Sequence, residues 1–291
     1  MRKLASEFNI DTKADTAIFP GSGRKIAQFA KESLENLQTD KVRAARQVVH
    51  DIPCAANTIQ VRTYFFHGPD ETVPFDEQLE AVNKIYQEGR FEKLGLSNFS
   101  LEQVLEIHAI AKEKGYIAPS VYQSNYSAAV RTNEGDLFPT LRKLGYSIQA
   151  YSPMATGLLV KTPADIAAGK GSYNPDAIVG KVLRPMYDKP SYMKMLEEFG
   201  KLSEESGVSR TGLAYRWVRH HSFLKAELGD EMIIGGTTAE QVANSLKELE
   251  GGPLEPWVAD RISQLWEIIK DDAPRDNLKY VRNVVRALAS S

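Results

Sequence analysis

The stretch Tyr64-Phe65-Phe66-His67-Gly68-Pro69-Asp70 carries the strongest structural signal in this chain. Aromatic residues run up to the histidine and stop at a Gly-Pro-Asp turn signal, which is typical of a short buried strand that ends there. A histidine at the carboxyl end of such a strand stands where an α/β barrel keeps its catalytic groups. The alternative is a histidine that only satisfies a buried hydrogen bond, so the neighbouring segments must distinguish the two.

The composition is that of an ordinary globular protein. Of 291 residues, 42% are hydrophobic and 25% are charged, and the formal net charge is −2. Such a charge indicates no basic surface for nucleic acid or for an anionic membrane. The single cysteine, Cys54, excludes an intrachain disulfide and has no metal-ligand neighbourhood. With no apolar run of signal-peptide or membrane-span length, we expect a cytoplasmic protein without a metal, a nucleic-acid partner or a membrane.

Short apolar runs alternate with amphipathic helices along most of the chain. Strands are predicted at residues 8–13, 64–67, 94–96, 120–123, 147–151 and 232–234. Helices are predicted at 25–37, 75–88, 101–114, 136–144, 191–206, 209–221 and 239–249, with a long loop at 155–190. In such a repeat, each helix crosses over and returns the chain to the same edge of the sheet. These six strand–helix units therefore predict parallel strands.

The arrangement of glycines favours a barrel over a doubly wound sheet. A doubly wound sheet usually has a glycine-rich phosphate loop after its first strand. Gly21-Ser22-Gly23 lacks the remaining glycine of that motif and follows a proline. We therefore predict an α/β protein with a TIM barrel, although six strand–helix units are two short of closing a (β/α)8 barrel.

Small polar side chains follow two further predicted strands. Ser97 and Asn98 come just past one strand end, and Gln123 stands at the end of the next strand. These side chains can donate to and accept from a planar amide. The alternative for Ser97 and Asn98 is a purely local role before a helix, whose N-cap Ser100 could supply by itself.

The last two predicted strands also end in groups suited to a ligand. Tyr151 precedes a loop of small residues, and its ring could stack on a heterocycle or simply pack at the rim of a barrel. Gly235-Gly236-Thr237-Thr238 runs into a helix N-terminus, which presents N–H groups and a positive dipole end to an anion. The alternative there is simple helix capping by Thr238. Phosphate sites in barrels favour the loops after the last strands.

Taken in this order, these segments resemble the aldo-keto reductase family, and within it the branch of aflatoxin-aldehyde and succinic-semialdehyde reductases. The likeness covers residues 8–42 and 61–275. Its matching stretches are His67-Gly68-Pro69-Asp70, Gly95-Leu96-Ser97-Asn98-Phe99, Val121-Tyr122-Gln123-Ser124-Asn125-Tyr126, Tyr151-Ser152-Pro153-Met154, Arg216-Trp217 to His220-His221-Ser222, and Gly251-Gly252-Pro253-Leu254-Glu255-Pro256.

The resemblance implies a (β/α)8 barrel that binds NADP(H) without a Rossmann domain and reduces an aldehyde or ketone by hydride transfer. It also implies roles at the matching positions. Ser97, Asn98 and Gln123 would hold the nicotinamide carboxamide, and Tyr151 would stack on the nicotinamide ring. The pyrophosphate would be lined by Ser152, Pro153, Met154, Gly157, Leu158 and Leu159. The adenosine 2′-phosphate end would be held by Gly236, Thr237, Thr238, Gln241 and Asn244. Many family members have arginine where this chain has Gln241.

The family's catalytic groups are a tyrosine that donates a proton, a lysine paired with an aspartate, and a histidine that orients the carbonyl. By resemblance, Lys13 matches the lysine and His67 the histidine. The tyrosine and the aspartate belong to two strand–helix units upstream of Lys13, and no Asp-Thr-Ala-x-x-Tyr-Gly segment stands in the chain. We therefore expect a barrel without its first two units. A catalytically dead relative that binds the cofactor or a partner is the alternative to an active reductase.

Residues 42–60 are a second departure from the family's pattern. Relatives pass directly from the preceding helix into the strand with the histidine. Val42-Arg43 is repeated as Val61-Arg62, so removal of residues 42–60 leaves a sequence that is natural for the family. Our hypothesis is an insertion that arises from an unspliced in-frame intron of a fungal gene. A functional loop is the alternative.

These observations predict one aldo-keto reductase domain over residues 1–291. Its expected partner is a small carbonyl compound, and an aldehyde of secondary metabolism is the suggested substrate. A homodimer is left open as the state of association.

Overall fold

The structure is a computed structural model that describes residues 11–14, 16, 21–36, 61–236 and 238–289. Residues 42–60, the predicted insertion, lie outside the described residues, and so does Thr237. The chain divides into two compact units, Met1–Tyr122 and Gln123–Ser291. One domain over residues 1–291 stays a prediction.

Unit 1 alternates parallel strands with helices, as the sequence predicts. Its strands stand in the order β1-β2-β3-β4, and the pairs β1–β2 and β2–β3 are parallel. The strands are β1 (Asp11–Ala14), β2 (Val61–Phe66), β3 (Phe91–Ser97) and the first part of β4 (Pro119–Asn125). The helices of its described residues are α1 (Ile26–Asn36), α2 (Phe75–Gln87) and α3 (Leu101–Lys114).

Helix α3 begins and ends where the sequence predicts, because both of its caps are local. Gln103 N donates to Ser100 Oγ at 3.3 Å, and Ser100 N donates to Gln103 Oε1 at 2.9 Å, which forms a capping box. Gly115 ends the helix with φ of 66°, a left-handed conformation that glycine adopts without strain. The prediction that Ser100 alone could cap this helix is confirmed.

Three positions lie side by side across the sheet of unit 1. Lys13 is the register partner of Phe65, and Phe65 is the register partner of Gly95. The Phe65 ring covers Gly95 so closely that a Cβ built on Gly95 would lie 2.3 Å from two ring carbons. On the other side, Lys13 Nζ lies 5.9 Å from the centroid of the same ring. The Phe65 ring can therefore occupy this position only because residue 95 has no side chain.

The turn Gly21-Ser22-Gly23 binds a carboxylate of the chain itself. Gly23 N donates to Asp70 Oδ2 at 2.9 Å, and Ser22 Oγ donates to the same oxygen at 3.4 Å. Thr72 donates to Asp70 Oδ1 through its N at 3.0 Å and its Oγ1 at 2.6 Å. Asp70 is buried. The glycine turn thus anchors the loop that follows His67, with the Gly23 N–H bound to the Asp70 carboxylate and the Gly21 N–H bound to Thr72 Oγ1 at 2.8 Å.

We expect the replacement Asp70→Asn to reduce the loss of stability in acid. Burial alone would raise the pKa of Asp70, but the hydrogen bonds from Gly23, Thr72 and Ser22 outweigh it and lower this pKa. The folded carboxyl thus binds fewer protons than the unfolded one. Its stabilisation is present above the unfolded pKa of about 3.9 and disappears as the pH falls through the folded value.

The measurement is the free energy of unfolding in urea as a function of pH. The matched control is Asp176→Asn, because Asp176 is exposed and its carboxyl accepts no hydrogen bond that resembles those of Asp70. An acid dependence that is the same in Asp70→Asn as in the unsubstituted chain would contradict the argument.

Unit 2 continues the strand order as β4-β5-β6, and β5 and β6 are parallel. Its strands are the end of β4, β5 (Ser147–Tyr151) and β6 (Glu231–Met232). Its described helices are α4 (Leu137–Lys143), α5 (Pro163–Ala167), α6 (Ile178–Tyr187), α7 (Pro190–Ser206), α8 (Arg210–His220), α9 (Ala239–Leu249), α10 (Pro256–Ile269) and α11 (Leu278–Ala289). Within the described ranges, no helix is long and apolar enough to cross a membrane.

The prediction of a long loop at 155–190 is wrong, because α5 and α6 lie within it. Helix α5 begins with a capping box on Thr162 and a proline in its first turn, which are start signals that the sequence contains. The helix has only five residues, too few to show a helical periodicity. Helix α6 contains Pro185, which has no N–H group to donate to the carbonyl of Lys181 and is a helix-breaking signal in the sequence. The helices α10 and α11 are also absent from the sequence-based prediction.

Asp230 fixes the beginnings of β5 and β6 beside each other. Its carboxylate pairs with the Arg142 guanidinium, with one N–H···O distance of 2.8 Å, and accepts from Ile148 N and Lys225 N at 2.7 Å each. The Asp230 side chain is 1% exposed. A buried carboxylate with four donors holds its neighbours in one geometry, and the next residue along the chain is Glu231.

Candidate active site

Residues predicted for catalysis and for cofactor binding in unit 1 stand at the carboxyl ends of three adjacent strands. Lys13 lies near the end of β1, His67 follows β2, and Asn98 follows β3. His67 N donates to Ala14 O at 3.1 Å, and Asn98 Nδ2 donates to His67 O at 2.8 Å. Hydrogen bonds therefore join the three strand ends that the sequence selected.

Lys13 is partly buried on its strand. Burial lowers the pKa of its ammonium from 10.5 to about 8, because a low-dielectric environment penalises the charged form. The Phe65 ring, on the register partner of Lys13, supplies part of this environment. A lysine with a pKa close to neutral is a common feature of active sites.

Ser97 and Asn98 act as a pair at the end of β3. Asn98 has φ of 63°, and asparagine tolerates this left-handed conformation better than most residues. Its Nδ2 donates to Ser97 Oγ at 3.1 Å. Ser97 exposes no surface, so the contact that the structure shows for its side chain is the hydrogen bond from Asn98. A role of both residues toward a carboxamide stays a prediction.

Unusual backbone conformations concentrate at these strand ends. In the described part of the chain, the non-glycine residues with positive φ are Asn98, Ser152, Ala155 and Thr156, at 63°, 55°, 48° and 56°. They follow either β3 or β5. Residues in such conformations cluster at active sites and ligand clamps, where the surrounding structure maintains the strain.

The loop after β5 is closed by its own backbone. Ala155 N donates to Ser152 O at 2.7 Å, and Gly157 N donates to Met154 O at 3.0 Å. Pro153 is buried, and Leu158 and Leu159 expose no surface. Tyr151, Ser152, Met154 and Gly157 are partly exposed. Pro153 has no N–H group, and Leu158 N and Leu159 N donate to Ala155 O and Met154 O at 3.1 and 3.4 Å. Of these residues, Ser152 can offer its side chain to a pyrophosphate, and the contact of the loop with that group stays a prediction.

A row of polar side chains crosses the three strands of unit 2. Gln123 Nε2 donates to Gln149 Oε1 at 2.8 Å, and Gln149 Nε2 donates to Glu231 Oε2 at 2.8 Å. Gln123 was predicted from the sequence, whereas Gln149 and Glu231 were not. A signal was present, because Gln149 stands two residues before Tyr151 and hence on the same face of the strand.

The N-terminus of α9 presents the remaining predicted residues. Gln241 N donates to Thr238 Oγ1 at 3.2 Å, which confirms the capping role of Thr238. Thr238, Gln241, Asn244 and Gly236 are exposed. Residues 236–244 include no lysine or arginine, and Glu240 stands in the first turn of the helix. The contact of this segment with a 2′-phosphate stays a prediction.

Two further observations concern ligand and metal sites elsewhere in the described structure. A groove of about 420 Å³ between α6 and α11 includes none of the predicted site residues; it is lined by Lys181, Pro185, Tyr280, Asn283, Val284, Ala287 and Leu288. Within the described ranges, no three His, Cys, Asp or Glu side chains lie close enough to hold a metal ion.

Comparison with known proteins identifies the family. A sequence model described as "Aldo/keto reductase family" matches residues 2–267. The chain belongs to the aldo/keto reductase family. It is an enzyme of the oxidoreductase class, and the α/β barrel type of fold predicted from the sequence is confirmed.

Two kinds of relative resemble this aldo/keto reductase. Oxidoreductase sirO of Leptosphaeria maculans is 34% identical over 289 residues, which cover 94% of this chain and 87% of sirO. Aflatoxin B1 aldehyde reductase member 4 of Homo sapiens is 34% identical over 269 residues, or 86% and 77% of the two chains. Aldo-keto reductase family 7 member A3 of Homo sapiens is 35% identical over 230 residues, or 74% and 67%. The predicted likeness to the aflatoxin-aldehyde reductase branch is confirmed.

Proposed function

We propose that this aldo/keto reductase reduces an aldehyde or a ketone to the alcohol with NADP(H). The observation that supports this most directly is the hydrogen-bonded set of strand ends in unit 1. There, Lys13, His67 and Asn98 stand on adjacent strands, and Asn98 donates to the carbonyl of His67. By resemblance, Lys13 and His67 match catalytic positions of the family and Asn98 matches a cofactor-binding position, and β1, β2 and β3 are neighbours in the sheet.

In unit 1, the proposed roles are those of groups that act on the carbonyl. The His67 imidazole would donate a hydrogen bond to the carbonyl oxygen and so orient it. The Lys13 ammonium would stabilise the negative charge that develops on the carbonyl oxygen as hydride is added, and burial strengthens this electrostatic effect. A proton from solvent would then complete the alcohol. Asn98 would contact the cofactor's carboxamide while its Nδ2 keeps His67 in place.

In unit 2, the proposed roles are those of groups that hold the cofactor. A bound nicotinamide supplies the hydride. The partly exposed Tyr151 would stack its ring on the nicotinamide, and Gln123 would hold the carboxamide. The left-handed backbone at Ser152 and Thr156 fits a loop that follows a pyrophosphate closely. The exposed residues Gly236, Thr238, Gln241 and Asn244 would meet the adenosine end.

The test of this proposal is cofactor binding by the variant Tyr151→Ala. Loss of the stacked ring should weaken binding of NADPH about tenfold, because an aromatic pair contributes about 0.5–1.5 kcal/mol beyond its buried area. NADPH and NADH are both titrated by fluorescence, since residues 236–244 offer no cation that would select the 2′-phosphate. Tyr151→Phe keeps the ring and should bind as the unsubstituted chain does.

A chain that binds neither NADPH nor NADH would contradict the proposal. Binding without turnover of any test aldehyde or ketone would instead support the second candidate, a catalytically dead relative. The preference for NADP(H), a cytoplasmic location, a role in secondary metabolism and a homodimer remain predictions of the same kind.

A further inference from the structure

We propose that Gln149 and Glu231 are positioning residues, which orient the Gln123 amide toward the carboxamide of the cofactor. The inference rests on the proposed function, because it assumes that Gln123 contacts the nicotinamide. It adds to the site two residues that were not among those predicted from the sequence.

The three side chains stand on one face of adjacent strands. Gln149 and Glu231 are register partners of β5 and β6, so their side chains emerge next to each other. Gln123 stands on β4, the other neighbour of β5. The distances from Gln123 to Gln149 and from Gln149 to Glu231 are both 2.8 Å. Since 3% of Gln149 and 5% of Gln123 are exposed, water competes weakly for these bonds.

The carboxylate decides the orientation of both amides. An ionised Glu231 only accepts hydrogen bonds, so Gln149 must turn its NH₂ group toward it. The Gln149 oxygen then faces Gln123, which must donate a hydrogen bond to it from its own NH₂ group. This leaves the Gln123 carbonyl on the other arm of the amide, and a carbonyl oxygen accepts from the NH₂ group of a carboxamide. Without an acceptor at position 231, Gln149 loses the hydrogen bond that turns its NH₂ group away from Gln123.

Packing alone does not explain a polar row at these positions. On the opposite face of β5, Ile148 and Ala150 expose no surface and carry apolar side chains. An apolar residue at position 149 would avoid the cost of burying an amide. The beginnings of both strands are held by Asp230, whose carboxylate accepts from Ile148 N at 2.7 Å. Glu231 is therefore fixed in place beside Gln149, as a residue that orients another one must be.

The experiment compares Glu231→Met with Glu231→Gln. Methionine removes the acceptor at similar volume, whereas glutamine keeps a carbonyl oxygen that can still accept from Gln149. For each purified chain, dissociation constants are measured for NADPH and NADH, and for the halves without nicotinamide, adenosine 2′,5′-bisphosphate and ADP. We expect Glu231→Met to bind the intact cofactor about five- to tenfold more weakly, to bind the halves unchanged, and to be rescued by Glu231→Gln.

A second variant guards against misfolding. Gln149→Met should weaken cofactor binding as Glu231→Met does, and the double variant should add little, because both break one chain of hydrogen bonds. Equal losses for intact cofactor and halves, additive losses, or no loss in Glu231→Met would overturn the inference while the proposed function stands. If the unsubstituted chain binds neither intact cofactor, the proposed function fails, and the inference fails with it.

Discussion

The variant Lys13→Met should lower the rate constant of carbonyl reduction by about 10²–10³-fold relative to the unsubstituted chain, as expected for the loss of a preorganised charge at the reacting group. Methionine keeps the length of the buried side chain and its contact with Phe65, so cofactor affinity should change little. Single-turnover oxidation of NADPH by a test aldehyde, followed at saturating cofactor, measures the effect. Equal rates for variant and unsubstituted chain would show that Lys13 takes no part.

The pH dependence gives this prediction an independent check. Burial lowers the pKa of Lys13 to about 8, so the charged form is lost as the pH rises through that value. If the ammonium is the active form, the reduction rate should fall above about pH 8. Lys13→Arg keeps a positive charge to far higher pH, so this falling limb should disappear even where the altered shape lowers the rate. If the rate of Lys13→Arg still falls above about pH 8, the fall is due to the titration of another group.

The second large effect is expected on stability, from Gly95→Ala. The new Cβ would lie 2.3 Å from two carbons of the Phe65 ring, and the ring is itself fully buried. Because neither the ring nor the strand can move freely, we expect a loss of about 1–3 kcal/mol in the free energy of unfolding. Urea denaturation measures it directly.

Two controls identify the cause of that loss. Gly135→Ala is the matched substitution, since its Cβ would meet nothing closer than Thr132 O at 3.7 Å, and it should be nearly neutral. Phe65→Leu in the Gly95→Ala background replaces the ring by a smaller side chain, so the two changes together should cost less than their sum. Strict additivity would show that the close contact of ring and glycine is not the source.

The candidate site was predictable where its signals are local. His67 stands after a run of buried aromatic residues and before a turn, and Ser100 and Gly115 delimit α3 by capping alone. The prediction of a loop at 155–190 failed for the opposite reason. Helix α6 forms despite Pro185, because tertiary packing outweighs the low helix propensity of proline. Gln149 and Glu231 could not be paired from the sequence, since they stand far apart along the chain and only the register of β5 and β6 joins them.

The sequence by itself determined the family, the alternation of strands and helices, and the residue types at the strand ends, because periodicity, turn residues and motifs are written in short segments. Only the tertiary structure decided which of these groups meet. Strand register placed Phe65 between Lys13 and Gly95 and set Gln149 beside Glu231, and through Gln149 it connected Gln123 to that carboxylate. A contact between loops brought the Gly23 N–H to Asp70. Register and burial are properties of paired strands, and they determine the pKa of a lysine or the orientation of an amide, which no single segment specifies.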